Sequence, residues 1–174
     1  MKILLKLLGG LAVLILLLVV AAYALPRHYR VERSLAMKAQ SDAVLALVAD
    51  FRAWKSWGAW QERDPQMKIT YSPQTTGVGA WSAWESTSEG NGKMTITEQT
   101  VAKVTYHLEF PDMGTRSTGS IEVRPQAGGV QVVWVDAGDL GMNPLNRWFG
   151  LFLDKLIGSD FERGLNNMRK LAEK

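Results

Sequence analysis

The sequence predicts an α+β fold, in which a curved antiparallel β-sheet wraps around a long C-terminal helix and one transmembrane helix precedes both. Three features predict it: an apolar run near the N-terminus, a series of short strand-like segments between residues 67 and 137, and a helical apolar stripe that ends near Met168. A curved antiparallel sheet with a long helix across it is the simplest way to bury both apolar faces. The space between them holds either a packed core or a ligand.

The first element is the apolar run, which extends without a charge from Leu7 to Leu25. At about 1.5 Å per residue, it nearly matches the ~30 Å hydrocarbon core of a bilayer. Lys2 and Lys6 precede it and basic residues follow Pro26, so both ends can lie among lipid head groups. We therefore expect residues 1–26 to be a single-pass membrane anchor, with a transmembrane helix over about 7–25.

A cleaved signal peptide is the alternative interpretation of this run. Ala22-Tyr23-Ala24 has the small-x-small pattern of a signal-peptidase site. The apolar stretch is longer than the roughly 7 to 15 residues of a usual signal peptide core, which favours the anchor. Positive charge flanks both ends, and long domains translocate largely regardless of charge, so the orientation stays open. Our expectation is a domain on the non-cytoplasmic side.

Residues 27–174 have a length that suits one globular domain. Lys2 and Lys6 account for two of the 20 basic residues, which leaves 18 against 17 acidic residues in this part of the chain. The basic residues are scattered, so a nucleic-acid partner is not expected. The basic group from Arg27 to Arg33 is either a solvated collar or a contact to anionic lipid head groups.

The domain begins with a strand and a helix. Val31 to Met37 is predicted to be the first strand, and Ser41 or Asp42 is predicted to cap the helix that follows. A tryptophan-rich segment leads to Asp64-Pro65. Turn signals then separate six further predicted strands, whose short connections favour antiparallel pairing: Met67–Ser72, Gly79–Glu85, Lys93–Thr97, Lys103–Phe110, Thr115–Arg124 and Val130–Ala137.

A long helix closes the chain. Asn143 is predicted to cap it, and Pro144 suits its first position. Apolar residues recur at helical spacing from Leu145 to Met168. Gly158 and Gly164 lie within this span, so a bend or break is possible.

Tryptophan and methionine supply the candidate binding surface. All seven tryptophans lie after residue 26, and with several methionines they offer large, adaptable apolar surface that suits a hydrophobic ligand. The alternative is that they only fill a core. The candidate cavity residues are Trp54, Trp57, Trp60, Met67, Trp81, Trp84, Met94, Trp134, Trp148 and Phe152, and Met113 and Met142 add to the same surface.

Several segments resemble the SRPBCC or START-like superfamily, and more narrowly its polyketide cyclase/dehydrase members, several of which carry an N-terminal membrane segment. The resemblance covers residues 29 to 172. The segments that carry it are Val31-Glu32-Arg33-Ser34, Val48-Ala49-Asp50-Phe51, Trp54-Lys55-Ser56-Trp57-Gly58-Ala59-Trp60, Asp64-Pro65, Gly77-Val78-Gly79-Ala80 with Trp84, Gly92-Lys93-Met94 and Asp160-Phe161-Glu162-Arg163-Gly164-Leu165.

The resemblance implies the helix-grip fold for residues 27–174, in which the C-terminal helix grips the sheet around a deep apolar cavity. Relatives bind lipids, sterols, polyketides, quinones or plant hormones, and a minority are described as enzymes. It implies no catalytic residue, because no motif of known chemistry matches position by position.

The residues themselves point the same way about catalysis. Cysteine is absent and only His28 and His107 are present, which excludes a Cys-His pair and metal sites built on cysteine or several histidines. No cofactor is expected. Asp50, Asp64 and Glu85 are weaker acid or base candidates than Asp136, which on strict alternation shares a strand face with Trp134.

Three functions therefore remain open. The favoured one is a membrane-anchored domain that binds a hydrophobic molecule, such as a lipid, an isoprenoid or a polyketide-like compound, between sheet and C-terminal helix. The second is a cyclase-type enzyme that uses a cavity carboxyl. The third is a structural or regulatory module with a filled core, whose protein partners the sequence leaves unknown.

Overall fold

The computed structural model describes residues 2–174, except for the side chain of Met113. Four α-helices, two short 3-10 helices (Ala53–Ser56 and Pro111–Met113) and seven strands make up the described residues. The helices are α1 (Lys2–Ala24), α2 (Ser41–Ala49), α3 (Ala59–Arg63) and α4 (Pro144–Ala172), and the strands are β1 (His28–Met37), β2 (Lys68–Tyr71), β3 (Trp81–Glu85), β4 (Gly92–Gln99), β5 (Lys103–Phe110), β6 (Thr115–Gln126) and β7 (Gly129–Asp139).

The seven strands form one curved antiparallel sheet in the order β1-β7-β6-β5-β4-β3-β2. Strands β2 to β7 each pair with the strands next to them in sequence, because their connections are short. Strand β1, the first in the chain, pairs over its whole length with β7, the last. Helix α4 packs mainly on β1. The predicted α+β fold is confirmed, and each predicted strand is present with ends within three residues of the expected ones.

Helix α4 is capped as predicted and runs without interruption. The Asn143 side chain accepts a hydrogen bond from the Leu145 amide at 3.0 Å, and Pro144 opens the helix. The two internal glycines leave room for large side chains of the sheet: a Cβ at Gly158 would overlap the Arg33 guanidinium, and one at Gly164 would press on the Trp134 ring. Close packing is therefore the reason for these glycines, and α4 continues as one helix.

Helix α2 differs from the prediction at its start. Ser41 is its first residue, and Gln40 takes the capping position without a side-chain hydrogen bond. The helix is held instead through its carbonyl groups. The indole NH of Trp54 donates to the Val48 carbonyl at 2.8 Å, and that of Trp57 donates to the Leu47 carbonyl at 2.9 Å. These two bonds satisfy carbonyl groups in the last turn of α2, whereas the amide groups of its first turn receive no side-chain cap.

By its length and composition, helix α1 is the one helix among residues 2–174 that is long and apolar enough to cross a membrane. Its side chains are almost all exposed, and Ala22 is its one buried residue. Its C-terminal part contacts the first turns of α4. There, Arg147 is buried and donates to the carbonyl oxygens of Tyr23 at 3.2 Å and Leu25 at 3.4 Å.

Candidate functional site

A cavity of about 490 Å³ lies between the inner face of the sheet, α3 and α4. Its volume falls in the range of small-molecule sites. The sheet contributes Met94 from β4 and alternate residues of β5, namely Tyr106, Leu108 and Phe110. Helix α4 forms the opposite wall with Phe149, Leu153, Leu156, Ile157 and Phe161. The lining is therefore mostly aliphatic and aromatic.

A small polar group interrupts this apolar lining. Asp136 is 3 % exposed and accepts hydrogen bonds from the hydroxyls of Tyr29 at 2.7 Å and Ser117 at 2.9 Å. Burial raises the pKa of this carboxyl, and the two hydrogen bonds partly oppose that rise. The same burial, together with the neighbouring carboxylate, raises the pKa of Tyr29. The cavity thus offers a carboxyl and two hydroxyls beside an apolar surface.

An ion-pair cluster connects the elements around the cavity. The guanidinium of Arg63, at the end of α3, pairs with Glu89 in the β3–β4 turn at 2.7 Å and also with Asp160 of α4. Both carboxylates are mostly buried and belong to the cavity lining. The cluster therefore joins α3, the turn and α4.

Four of the ten residues predicted to bind a ligand line this cavity: Trp60, Met67, Trp84 and Met94. Trp84 faces inward from β3, where its ring lies over Gly92 of the next strand and 5.9 Å from the Phe110 ring, centroid to centroid. Trp60 comes from α3, and its ring centroid is 6.0 Å from that of Trp134. These four residues come from separate segments, and the fold brings them together.

Three more of the ten residues, Trp54, Trp57 and Trp134, lie in the core beside the cavity and do not line it. Each of them is at most 2 % exposed. The Trp134 ring stacks on Phe161 at a centroid distance of 4.0 Å, and its indole NH donates to the Tyr106 hydroxyl at 2.9 Å. These tryptophans fill space and fasten α2 and α4 to the sheet, which is the core role that the sequence left open.

The last three predicted residues, Trp81, Trp148 and Phe152, lie away from the cavity. Trp81 is on the outer face of β3, where the Lys93 ammonium lies 5.1 Å from its ring centroid. The indole NH of Trp148 donates to the Leu18 carbonyl of α1 at 3.2 Å. Phe152 is 59 % exposed on α4. The sequence predicted these three residues from their type, and residue type does not indicate the face on which a side chain lies.

The sequence reasoning missed several lining residues. Leu108 and Phe110 alternate with His107 along β5 and so share the inner face with Tyr106, a pattern visible in the sequence. Ser117 carried no such signal, because its role depends on the pairing that sets Gly138 of β7 opposite it, two residues along from Asp136.

The other titratable candidates lie outside the cavity. His107 is on the outer face of β5, where a ring nitrogen and the Thr118 hydroxyl are 3.3 Å apart. The Asp64 carboxylate accepts from the Gln66 amide at 3.0 Å, as a turn residue does, and Asp50 accepts from the Arg52 amide at 2.9 Å. Within residues 2–174, no group of three or more His, Cys, Asp or Glu side chains is placed to hold a metal ion.

Comparison with known families gives one match that covers nearly all of the chain after α1. The family model described as "Polyketide cyclase / dehydrase and lipid transport" matches residues 28–173. The chain belongs to this family. The SRPBCC resemblance noted in the sequence is thereby confirmed, and a search of curated proteins gives no match.

Solved structures share the fold at low sequence identity. A protein from Thermobifida fusca is 23 % identical, with a TM-score of 0.62, over 80 % of this chain and 90 % of that one. A Helicobacter pylori protein is 8 % identical, with a TM-score of 0.63, over 83 % and 88 %. The di-domain ARO/CYC StfQ from the steffimycin biosynthetic pathway is 15 % identical, with a TM-score of 0.63, over 84 % of this chain and 51 % of StfQ.

These likenesses establish the helix-grip fold. At such identities they carry no information about the ligand. Family membership and the apolar cavity together indicate a domain that binds hydrophobic small molecules.

Proposed function

We propose that this protein is a membrane-anchored member of the family that holds a lipid, an isoprenoid or a polyketide-like molecule in the cavity between sheet and α4. The observation that carries the proposal is the cavity itself, which is walled by apolar side chains from the sheet and from α4. A space of this size inside a small domain leaves its lining without packing partners unless a ligand fills it.

The polar group in the cavity narrows the ligand class. Tyr29 and Ser117 each donate one hydrogen bond to Asp136, and a purely hydrocarbon ligand would offer these three groups no further partner. A molecule with a hydroxyl or carbonyl at one end and a long apolar body would match both parts of the lining. We therefore favour an amphipathic lipid or isoprenoid alcohol over a bare hydrocarbon.

The proposed membrane anchor brings the cavity close to a supply of such a ligand. Hydrophobic molecules concentrate in the bilayer, and a tether keeps the domain at high effective concentration beside that supply. Helix α1 has the length and composition of a span, and its contact with α4 sets it beside one wall of the cavity.

The test is native mass spectrometry, with lipid extraction, on the full chain purified gently from membranes. A stoichiometric hydrophobic molecule should be retained and its extract should identify the ligand class. The matched control is the Trp84→Ala variant, which removes a cavity wall and should retain less of the same molecule. A wild-type protein that is fully folded and carries nothing, also after incubation with membrane lipid extract, would contradict the proposal.

A cyclase-type enzyme is the second candidate, and Asp136 is the observation that favours it. A buried carboxyl with a raised pKa beside two hydroxyls can accept or donate a proton inside an apolar cavity. Such an enzyme would convert a polyketide-like substrate with a pH dependence that Asp136→Asn abolishes. Retention of an unreacted ligand by both the wild type and Asp136→Asn would favour the binding domain.

A further inference from the structure

An exposed apolar stripe runs along the first half of α4. Leu145, Phe149, Phe152 and Leu156 are spaced by three or four residues, so they lie on one side of the helix. Their exposed fractions are 76, 55, 59 and 49 %. Single exposed apolar residues are normal in proteins, whereas a contiguous patch of large ones marks a surface that contacts another apolar phase.

Charge is absent from the exposed side of the first ten residues of α4, Pro144 to Leu153. From Pro144 to Leu153, Arg147 is the single charged residue, and its guanidinium is buried against the end of α1. Asp154, which follows, is paired with Arg33 of β1 at 3.0 Å, and the exposed Lys155 is the one further charge before the stripe ends at Leu156. The stripe therefore has the character of the apolar face of a helix that lies in a membrane interface.

The contact between α1 and α4 determines how deep the stripe lies relative to the bilayer that α1 is proposed to span. Trp148 hydrogen-bonds to the carbonyl of Leu18, which lies six residues before Ala24, the last residue of α1. At about 1.5 Å per residue, that contact is roughly 9 Å along the helix from its end. If α1 spans the bilayer, the start of α4 is therefore at the level of the head groups or just below them, where tryptophan is enriched in membrane proteins.

We propose that the stripe defined by Leu145, Phe149, Phe152 and Leu156 lies against the lipid bilayer into which α1 inserts. This inference rests on the membrane anchoring in the proposed function. The bilayer is the occupant because the first turns of α4, on which the stripe begins, are fixed through Arg147 and Trp148 to the end of α1, whose exposed apolar surface is the proposed membrane span. A second copy of the chain would have to cover α1 as well.

The docking has a consequence for the cavity. Phe149 and Leu156 line the cavity and are also about half exposed, so they lie at its rim on the side of the stripe. A ligand can then pass between the bilayer and the cavity across this rim without crossing water. The lipid surface is thus the immediate source, or destination, of the bound molecule.

The test uses the absence of cysteine from the chain. Single cysteines are introduced into the full chain as Phe152→Cys on the stripe, Lys170→Cys as an exposed position far along α4, and Leu11→Cys as a reporter of the anchor. Each is labelled with a nitroxide in vesicles of phosphatidylcholine and phosphatidylglycerol. Collision with oxygen, which concentrates in lipid, is compared with collision with a water-soluble nickel complex.

The proposal predicts an oxygen-to-nickel ratio at position 152 that is several-fold higher than at position 170 and close to that at position 11. A label at 152 that behaves like the one at 170, while the label at 11 is in lipid, overturns the docking and leaves the anchor intact. Labels at 11 and 152 that are both in water overturn the anchor and the docking together. Spin–spin broadening between labels at 152 would assign the stripe to a second copy, which also overturns the proposal.

Discussion

The sharpest test of the cavity compares two tryptophans on one strand. Trp84 and Trp81 both lie on β3, three residues apart, and therefore face opposite sides of the sheet. Trp84 lines the cavity, whereas Trp81 lies beneath the Lys93 ammonium on the outer face. Trp84→Ala and Trp81→Ala thus remove the same group from the same strand, and one of them alone changes the cavity wall.

The loss of affinity expected for Trp84→Ala follows from the area of the Trp84 side chain that a ligand can contact. A tryptophan side chain presents about 200 Å², and Trp84 shares its ring between Gly92, Phe110 and the cavity, so roughly a third, about 70 Å², is free for a ligand. At about 25 cal/mol per Å², the lost contact is about 1.7 kcal/mol, or a Kd raised about 20-fold. Trp81→Ala should change the Kd by less than about twofold.

The assay is titration of the full chain in detergent with a dansyl-labelled fatty acid, followed by the rise in dansyl emission. Urea unfolding of both variants controls for loss of structure, because each substitution also removes apolar contacts within the sheet. Equal weakening by the two substitutions, or unchanged binding by a folded Trp84→Ala variant, would refute the assignment of the cavity as the binding site.

Three further predictions concern the core and the polar group. Trp134→Phe should lower the free energy of unfolding by about 2 kcal/mol, measured in urea, because it removes the hydrogen bond to the buried Tyr106 hydroxyl and leaves a void beside Phe161; a stability equal to wild type would contradict the core role. Gly164→Ala should destabilise the protein by about 1 kcal/mol in the same measurement, although alanine is the better helix former by a similar amount, because the new Cβ would lie 2.8 Å from the fixed Trp134 ring; a stabilised variant would mean that the ring yields. Burial raises the pKa of Asp136 in the folded state, so its proton is bound more tightly there than in the unfolded chain. Thermal stability of the wild type relative to Asp136→Asn should therefore be highest below about pH 4 and fall as the pH rises through the raised folded-state pKa, by about 1.4 kcal/mol for each unit of the shift; parallel curves from pH 4 to pH 8 would count against a buried, titrating carboxyl.

The strands are the elements whose positions the sequence predicts best. Lys103–Phe110 was predicted with both ends as observed, because alternation along it separates inner Tyr106 and Leu108 from outer His107 without reference to any other segment. The cap of α4 at Asn143 is equally local and was also predicted. The cap of α2 was predicted at Ser41 or Asp42, but the helix already includes Ser41, so Gln40 takes the capping position and makes no side-chain hydrogen bond there.

The sequence did not predict which of the tryptophans line the cavity. Residue type predicted that they would be apolar surface, and the structure divides them between core, cavity, outer sheet face and the contact with α1. Trp134 and Trp84 are both on inner faces, yet the first is sealed by Phe161 and the second borders open space. What separates them is where α4 crosses the sheet, and no local pattern carries that information.

The sequence by itself determined the apolar helix at the N-terminus, the α+β class, the series of strands and the long closing helix. These depend on periodicity, turn residues and caps, which act over a few neighbours along the chain. Only the tertiary structure decided that β1 joins β7, that Asp136 meets Tyr29 and Ser117, and that the start of α4 lies against the end of α1. Each of these depends on contacts between residues far apart in sequence, whose partners are set by how the whole sheet and α4 pack together.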